Sequence, residues 1–423
     1  MKATLARWGY GALLTLASPL VYARWWWRGR HEPGYRAHWR ERWGGFDGSP
    51  GSGRIWVHAV SLGETRAAEP LLAALRRECP GRALLLTHGT ATGRAAGAAL
   101  LKDGDRQAWL PLDTPFAVRS FLRRHRPVVG VMMETEVWPA LLQAAHAAGV
   151  PMVLANARLS EKSLAQGRRL AALMRPAVAV FARVLAQTEP DAARLREMGA
   201  TNVQVMGNLK FDITPDPQLL AQGQAWRRVV ARAVVLAAVT REGEEGPLFD
   251  AWRRLPAPRP LLVVVPRHPQ RFDAVAADAQ ALGLTLVRRS GWGEQPPPAA
   301  AEADVWLGDS MGEMPLYYAL ADAALLGGSF APLGGQNLIE AAACGCPLVM
   351  GPHTFNFAQA AERSLAARAS ERVPTLADGV QRAVALALDP ERQAWVQRAL
   401  GFAGQHRGAA ERMARAIAAL LPR

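Results

Sequence analysis

Cysteine is scarce in this chain. The 423 residues include three, Cys79, Cys344 and Cys346, and the last two stand too close, at an expected helix-to-strand turn, for a structural disulfide or a metal cage. A reducing compartment is the natural setting for such usage. No cysteine and histidine cluster has metal-ligand spacing, and the single Asp-x-Asp, Asp103-Gly104-Asp105, reads as a solvent turn before Trp109 rather than a diphosphate-metal clamp. Internal repeats are missing, and the one low-complexity tract, residues 295–301 (QPPPAAA), reads as a loop. Acid is in deficit: 36 Asp and Glu stand against 50 Lys and Arg, a formal charge of +14. That balance points to an anionic partner, whether nucleic acid, an acidic membrane surface or a phosphorylated substrate. The basic residues are spread along the chain and no nucleic-acid module occurs, which argues against nucleic acid.

A long apolar run is also lacking. Residues 8–23 (WGYGALLTLASPLVYA) are uncharged and belted by Trp8, Tyr10, Tyr22, Trp25, Trp26 and Trp27, but they fall short of the roughly 20 residues of a spanning helix, and Pro19 weakens them further. The stretch is expected to be a membrane anchor, either a true span or a tilted, partly inserted helix. Lys2 and Arg7 ahead of an apolar core resemble a signal peptide, yet no small-x-small cleavage site follows. The arginines and tryptophans of the next segment, RWWWRGRHEPGYRAHWRERWGG, suit anionic headgroups if that anchor holds them there.

What the chain has in quantity is alternation of apolar runs with helical spacing. Runs at 55–60, 83–87, 128–133, 152–155, 184–186 and 203–206, and again at 234–238, 261–265, 285–287, 305–307, 324–326 and 348–350, predict buried strands, each followed by a polar turn. Such alternation predicts two doubly wound α/β domains with parallel sheets covered on both faces. The length suits two domains, and Pro215 and Pro217 mark the expected linker. In an open α/β sheet ligands bind at the carboxyl ends of the strands, so Glu64, Glu134 and Lys210 are expected to converge there.

The densest stretch is residues 308–351. Gly312 and the pair Gly334-Gly335 each precede an expected helix start, where free backbone amides and the helix dipole suit a phosphate, with Asn337 and Glu340 in the first turn of a helix expected over 336–343. Two such devices in one segment point to a nucleotide. The motifs GETRAAEP after HAVSL, PVVGVMMETEVWP, NARLSEKS, GNLKFD, VVVPRHPQRF, GDSMGEM and GGQNLIEAA, in this order, resemble the 3-deoxy-D-manno-octulosonic acid (Kdo) transferases of lipid A assembly.

The resemblance implies a type-B glycosyltransferase fold and an enzyme that moves Kdo from CMP-Kdo to a tetra-acylated lipid A precursor, with inversion at the anomeric carbon. It implies work without a metal or cofactor on the cytoplasmic side of an inner membrane. It further implies Glu64 as catalytic base, Glu134 and Lys210 as groups that steady the transition state, and Glu136 as an alternative to Glu134. CMP would be held by Arg267, His268, Gly312, Glu313, Met314, Gly334, Gly335, Gln336 and Asn337, with Glu340 on the ribose. The expected division is an anchor at 1–30, an acceptor domain at 31–212, a linker at 213–226 and a nucleotide-sugar domain with C-terminal helices at 227–423. Two departures stand out. Val239-Thr240-Arg241 replaces the Ser-Thr-His run frequent in the family, and Gln336 stands where histidine is common.

Overall fold

The computed structural model describes residues 2–46, 51–405 and 407–422. Two seven-stranded sheets organise them, and every strand pair in both is parallel. In the first, β1 (Ile55–His58), β2 (Leu84–His88), β3 (Arg106–Trp109), β4 (Val129–Met133), β5 (Met152–Ala157), β6 (Arg183–Ala186) and β7 (Val203–Val205) run in the order β3-β2-β1-β4-β5-β6-β7. In the second, β8 (Val234–Thr240), β9 (Leu261–Pro266), β10 (Leu286–Arg288), β11 (Val305–Leu307), β12 (Ala323–Leu326), β13 (Leu348–Met350) and β14 (Ser370–Arg372) run β10-β11-β9-β8-β12-β13-β14. The order reverses between β1 and β4 and again between β8 and β12, and the crevice beyond the carboxyl ends at such a reversal is where α/β sheets take ligands.

Strands buried on both faces need apolar side chains, and β1, β2, β4, β8 and β9 have them except at the carboxyl ends of β1, β2 and β8, where His58, Thr87, His88 and Thr240 stand. The two strands that the apolar pattern misses lie at or next to an edge. β3 (RQAW) has two half-buried polar residues, and β14 is Ser-Glu-Arg, so neither shows as an apolar run.

The chain divides into two compact units, Met1–Asp212 with Arg407–Arg423, and Ile213–His406. The expected linker is mostly helix: Pro217 sits at the first helical position of Pro217–Val229, where a missing N–H costs nothing, and Asp216 caps it by accepting from the Gln218 amide at 2.8 Å. The last helix, Ala409–Ala418, belongs to the first unit. Its Met413 and Ile417 are fully buried in one apolar cluster with Leu71, Leu72 and Leu75 of the helix Leu62–Glu78. Asp212 fixes its start by accepting from the amides of Gly408 and Ala410, both at 2.5 Å.

Of the two N-terminal expectations, the true span needs correction. Residues 2–28 form one helix, Lys2–Arg28, but its uncharged part of 16 residues extends about 24 Å, less than the roughly 30 Å of a hydrocarbon core. Among the described residues no helix is long and apolar enough to cross a membrane. Nor is the arginine and tryptophan segment a free linker. Arg42, 2% exposed, has its guanidinium 3.9 Å from the ring centres of both Trp25 and Trp109, and buried Glu41 accepts from the Trp109 amide at 2.9 Å and pairs with Arg94. These contacts bind the segment to β3, while Leu13, Leu16, Leu20, Trp26 and Trp27 stay exposed.

Candidate functional site

In the first unit the carboxyl ends of β1, β4, β5 and β7 carry a cluster of acids and bases. Ser61 caps the helix Leu62–Glu78, accepting from the Glu64 amide at 3.3 Å, and Glu64 reaches back to accept from the Val60 amide at 2.8 Å and the Ser61 hydroxyl at 3.2 Å. The serine and glutamate at N-cap and third position are a variant of a capping box, so the local sequence itself fixes the carboxylate at the sheet edge. Burial raises the Glu64 pKa above the usual carboxylate range; the Val60 amide opposes the rise and the charge of Glu134 adds to it.

Glu134 follows β4 in left-handed backbone (φ 56°), which turns its side chain out of the strand, and it accepts from Arg158 Nε at 2.8 Å. Glu136 is pushed up to about 7, first by burial and then by the charge of Glu64, with an opposing hydrogen bond from Trp138 Nε1 at 2.7 Å. Behind it, fully buried His58 is held neutral, its pKa depressed to about 3 by burial and then by His88. Its Nδ1 lies 2.9 Å from the Thr87 hydroxyl, whereas Nε2 has no hydrogen-bond partner and lies 3.9 Å from Glu136 Oε2.

Lys210 is exposed on the turn Leu209–Phe211, which packs against the Glu64 helix. The turn is built by side chains: Asn208 accepts from the Lys210 amide at 2.9 Å, and Asn156, itself in left-handed backbone (φ 51°), accepts from the Leu209 amide at 3.1 Å. Glu64, Glu134 and Glu136 are thus electrostatically coupled neighbours, and Lys210 stands on an adjoining turn. Arg158, His58 and Trp138 carry no role in the sequence reading. Their signals were the NAR turn after β5, a histidine ending an otherwise apolar strand, and the Glu-x-Trp spacing. Asp103-Gly104-Asp105 is a turn whose first two residues are exposed, while Asp105 accepts from the Leu84 amide at 2.7 Å and pairs with Arg76 at 2.6 Å.

In the second unit, one buried acid ties two loops together. Glu244, 5% exposed, accepts from the Gly328 amide through both oxygens (2.9 and 2.8 Å) and from the Arg241 amide at 2.9 Å, joining the loop after β8 to the glycine loop after β12. Val239, a β-branched residue in left-handed backbone (φ 58°), lies where a side chain on Gly327 would meet its carbonyl at 2.2 Å. Such strain costs of order 1 to 3 kcal/mol and persists where the surroundings enforce it. The Arg267 amide donates to Thr240 O at 2.9 Å, so exposed Arg267 and half-buried His268 border the same loops. Arg271, paired with buried Glu245 at 3.0 Å, steadies that turn; it lies within the VVVPRHPQRF motif but carries no role in the sequence reading.

The glycines perform as their φ values demand. Gly334 and Gly335 are left-handed (88° and 73°), and a side chain on Gly334 would meet Asn356 at 2.4 Å. The helix that follows is Leu338–Ala343, later by two residues than expected because Asn337 is its cap, accepting from the Ile339 amide at 3.2 Å; Gln336 lies in the loop. Glu340 is in the first turn, its pKa raised by burial. Gly312 (φ 82°) has open space around it. Glu313 acts structurally, receiving both Arg289 Nε (3.1 Å) and Nη2 (2.9 Å), along with Ser310 Oγ, at the cap of the helix Met314–Leu320, whose first residue is Met314.

Two parallel α/β units with ligand-type loops at their carboxyl edges define a protein of the GT-B-like fold class. The similarity to a meningococcal UDP-GlcNAc 2-epimerase (Neisseria meningitidis) bound to UDP-GlcNAc extends over 87% of this chain and 99% of that one, with TM-score 0.54 at 15% identity, and shows the fold alone. Residues 37–213 match the family model of 3-deoxy-D-manno-octulosonic-acid transferase. A Bordetella pertussis 3-deoxy-D-manno-octulosonic acid transferase is 50% identical over 86% of each chain, and a Haemophilus influenzae one 32% identical over 96% of this chain and 97% of that one. The chain belongs to the Kdo transferase family.

Proposed function

We propose that the chain transfers Kdo from CMP-Kdo to a sugar hydroxyl of a tetra-acylated lipid A precursor, with inversion, at the cytoplasmic face of an inner membrane. The observation that carries this reading is the Glu64 carboxylate, fixed at the sheet edge by its own cap and made more basic by burial and by Glu134. The acceptor oxygen attacks the anomeric carbon as the bond to the CMP phosphate breaks; CMP leaves with that electron pair, and the hydroxyl proton passes to Glu64. Lys210 supplies positive charge for the donor carboxylate, and Glu134, oriented by Arg158, steadies charge building at the sugar ring. No metal is required, because CMP departs as a monophosphate that cations and backbone amides can hold.

The second unit holds CMP through the loops that Glu244 joins, with Arg267 and His268 on the phosphate, the 312–314 and 334–337 segments around the nucleotide, and Glu340 on the ribose. Arg241 takes the place of the histidine frequent in the family. The exposed leucines and tryptophans of the helix Lys2–Arg28 support attachment in the plane of the membrane surface.

Mass analysis of the product from CMP-Kdo and the lipid A precursor tests the reaction, and protection against unfolding by CMP but not UDP tests the donor. Glu64→Gln keeps the shape and removes the basicity. General-base catalysis is worth about 100- to 10,000-fold, so turnover should fall by that order with CMP affinity unchanged. A folded Glu64→Gln enzyme within tenfold (roughly) of the wild-type chemical rate would remove Glu64 from that role.

A further inference from the structure

The first unit contains a groove of about 770 Å³ that the reaction chemistry leaves unused. One wall is the helix Lys2–Arg28, through Trp8, Gly11, Ala12 and Leu16, and the other is formed by the helices Pro115–His125 and Pro139–Ala147. A hydrogen bond ties the walls together. Tyr10 donates to Asp113 at 2.8 Å, and Asp113, 1% exposed, also accepts from the Ala140 and Leu141 amides at 3.1 and 2.7 Å. Gly11 permits the approach, since a side chain there would lie 3.2 Å from Pro115. Arg7, which donates to Gln143 at 2.5 Å, and exposed Arg119 also line the groove.

An apolar trough with cations on its lining suits a hydrocarbon chain attached to an anionic head. Its place in the fold selects which one. Pro115 and Pro139 begin the helices that follow β3 and β4, so the trough opens at the carboxyl edge of the sheet, and Pro139 directly follows Trp138, the residue that donates to Glu136. We propose that this groove holds one acyl chain of the lipid acceptor, tethering the sugar whose hydroxyl meets the acids at that edge. The inference rests on the reaction given under Proposed function.

Each methylene taken from water is worth roughly fourfold in affinity, so a chain that places four in the groove contributes about 200-fold. With the full chain, CMP-Kdo and either the acylated acceptor or its fully deacylated form, KM should be at least about 100-fold higher for the deacylated acceptor. Ala12→Trp and Ala144→Trp fill the groove from opposite walls. Each, shown folded by its thermal melt, should raise KM for the acylated acceptor toward the deacylated value, leaving kcat and the deacylated KM unchanged.

Equal kinetics of the wild type on both acceptors overturns the proposal, as does an unchanged acylated KM in a folded variant or an equal rise for both acceptors. Loss of phospholipid-vesicle binding with the acylated preference intact assigns the groove to a bilayer lipid and also overturns it. If the wild type transfers to neither acceptor, the reaction assignment fails, and direct binding decides for the groove: acylated acceptor retained by the wild type and released by Ala12→Trp supports it, and equal retention by both overturns it.

Discussion

Glu136 is the residue whose protonation the fold perturbs most visibly within the acid cluster. Its pKa of about 7, against an unfolded value near 4.5, means that burial disfavours its ionised form. The penalty is absent below pH 4.5, grows as pH rises between the two values and is complete above 7, where it approaches about 3 kcal/mol. Glu136→Gln escapes it. Denaturant titrations at several pH values should therefore show the variant gaining on the wild type from pH 5 to pH 8, with the two curves meeting at low pH. Arg267 presents the opposite case, an exposed cation beside loops fixed by buried acids. Arg267→Ala should weaken CMP by one to two decades, because a charge-assisted contact is worth about 1.5 to 3 kcal/mol, and calorimetric titration measures it directly. Positions proposed for the chemistry were legible in the sequence where a motif and a strand end coincided, as for Glu64, Glu134 and Arg267. His58, Glu244 and Arg271 were not, because each acts through a partner distant in sequence: Glu136, Gly328 and Glu245.

Among the elements, β1, β2, β4, β8 and β9 announce themselves because burial on both faces demands apolar runs. β3 and β14 stay hidden for the converse reason, as does the helix Pro217–Val229, whose opening proline signals a break as readily as a first turn. The helix Lys2–Arg28 has two unlike faces. Tyr10 and Arg7 pin one to the unit's own helices and leave the leucines of another facing outward. Leu13 and Leu20 are 66% and 75% exposed and do not line the acyl groove. Replacing both with aspartate removes two side chains each worth about 1.5 to 3 kcal/mol when buried, so co-sedimentation with anionic vesicles should fall more than tenfold (roughly). Undiminished binding would shift the attachment to the arginines that follow.

On the scale of the whole molecule, each unit has its own sheet and core, with the second built from one continuous span of chain and the first from two. If CMP binds the second unit alone, saturating it should raise the unfolding transition of that unit, by about 2.7 kcal/mol at a hundredfold excess over the dissociation constant, and leave the other in place. Tryptophan fluorescence and calorimetry can follow the two. Two doubly wound sheets were legible from the alternation of apolar runs with helical spacing. A helical, alanine-rich end from Pro390 that packs back across the domains was legible too, but an alanine-rich helix such as Ala409–Ala418 carries nothing in its sequence to say which core it covers.

That return sets a timetable for synthesis. The helix Leu62–Glu78 leaves the ribosome well before its partners, since Leu71, Leu72 and Leu75 share their cluster with Met413 and Ile417, and Met413 lies 335 positions after Glu78. For the time taken to translate the 334 residues between Glu78 and Met413, about 17 to 67 seconds at roughly 5 to 20 residues per second, the nascent first unit shows an uncovered apolar face. The second unit, uninterrupted in sequence, has no such wait. A ribosome stalled or a message cut shortly before codon 407 would release a chain whose second unit is whole and whose first has an open seam, a form suited to capture by quality-control proteases and chaperones.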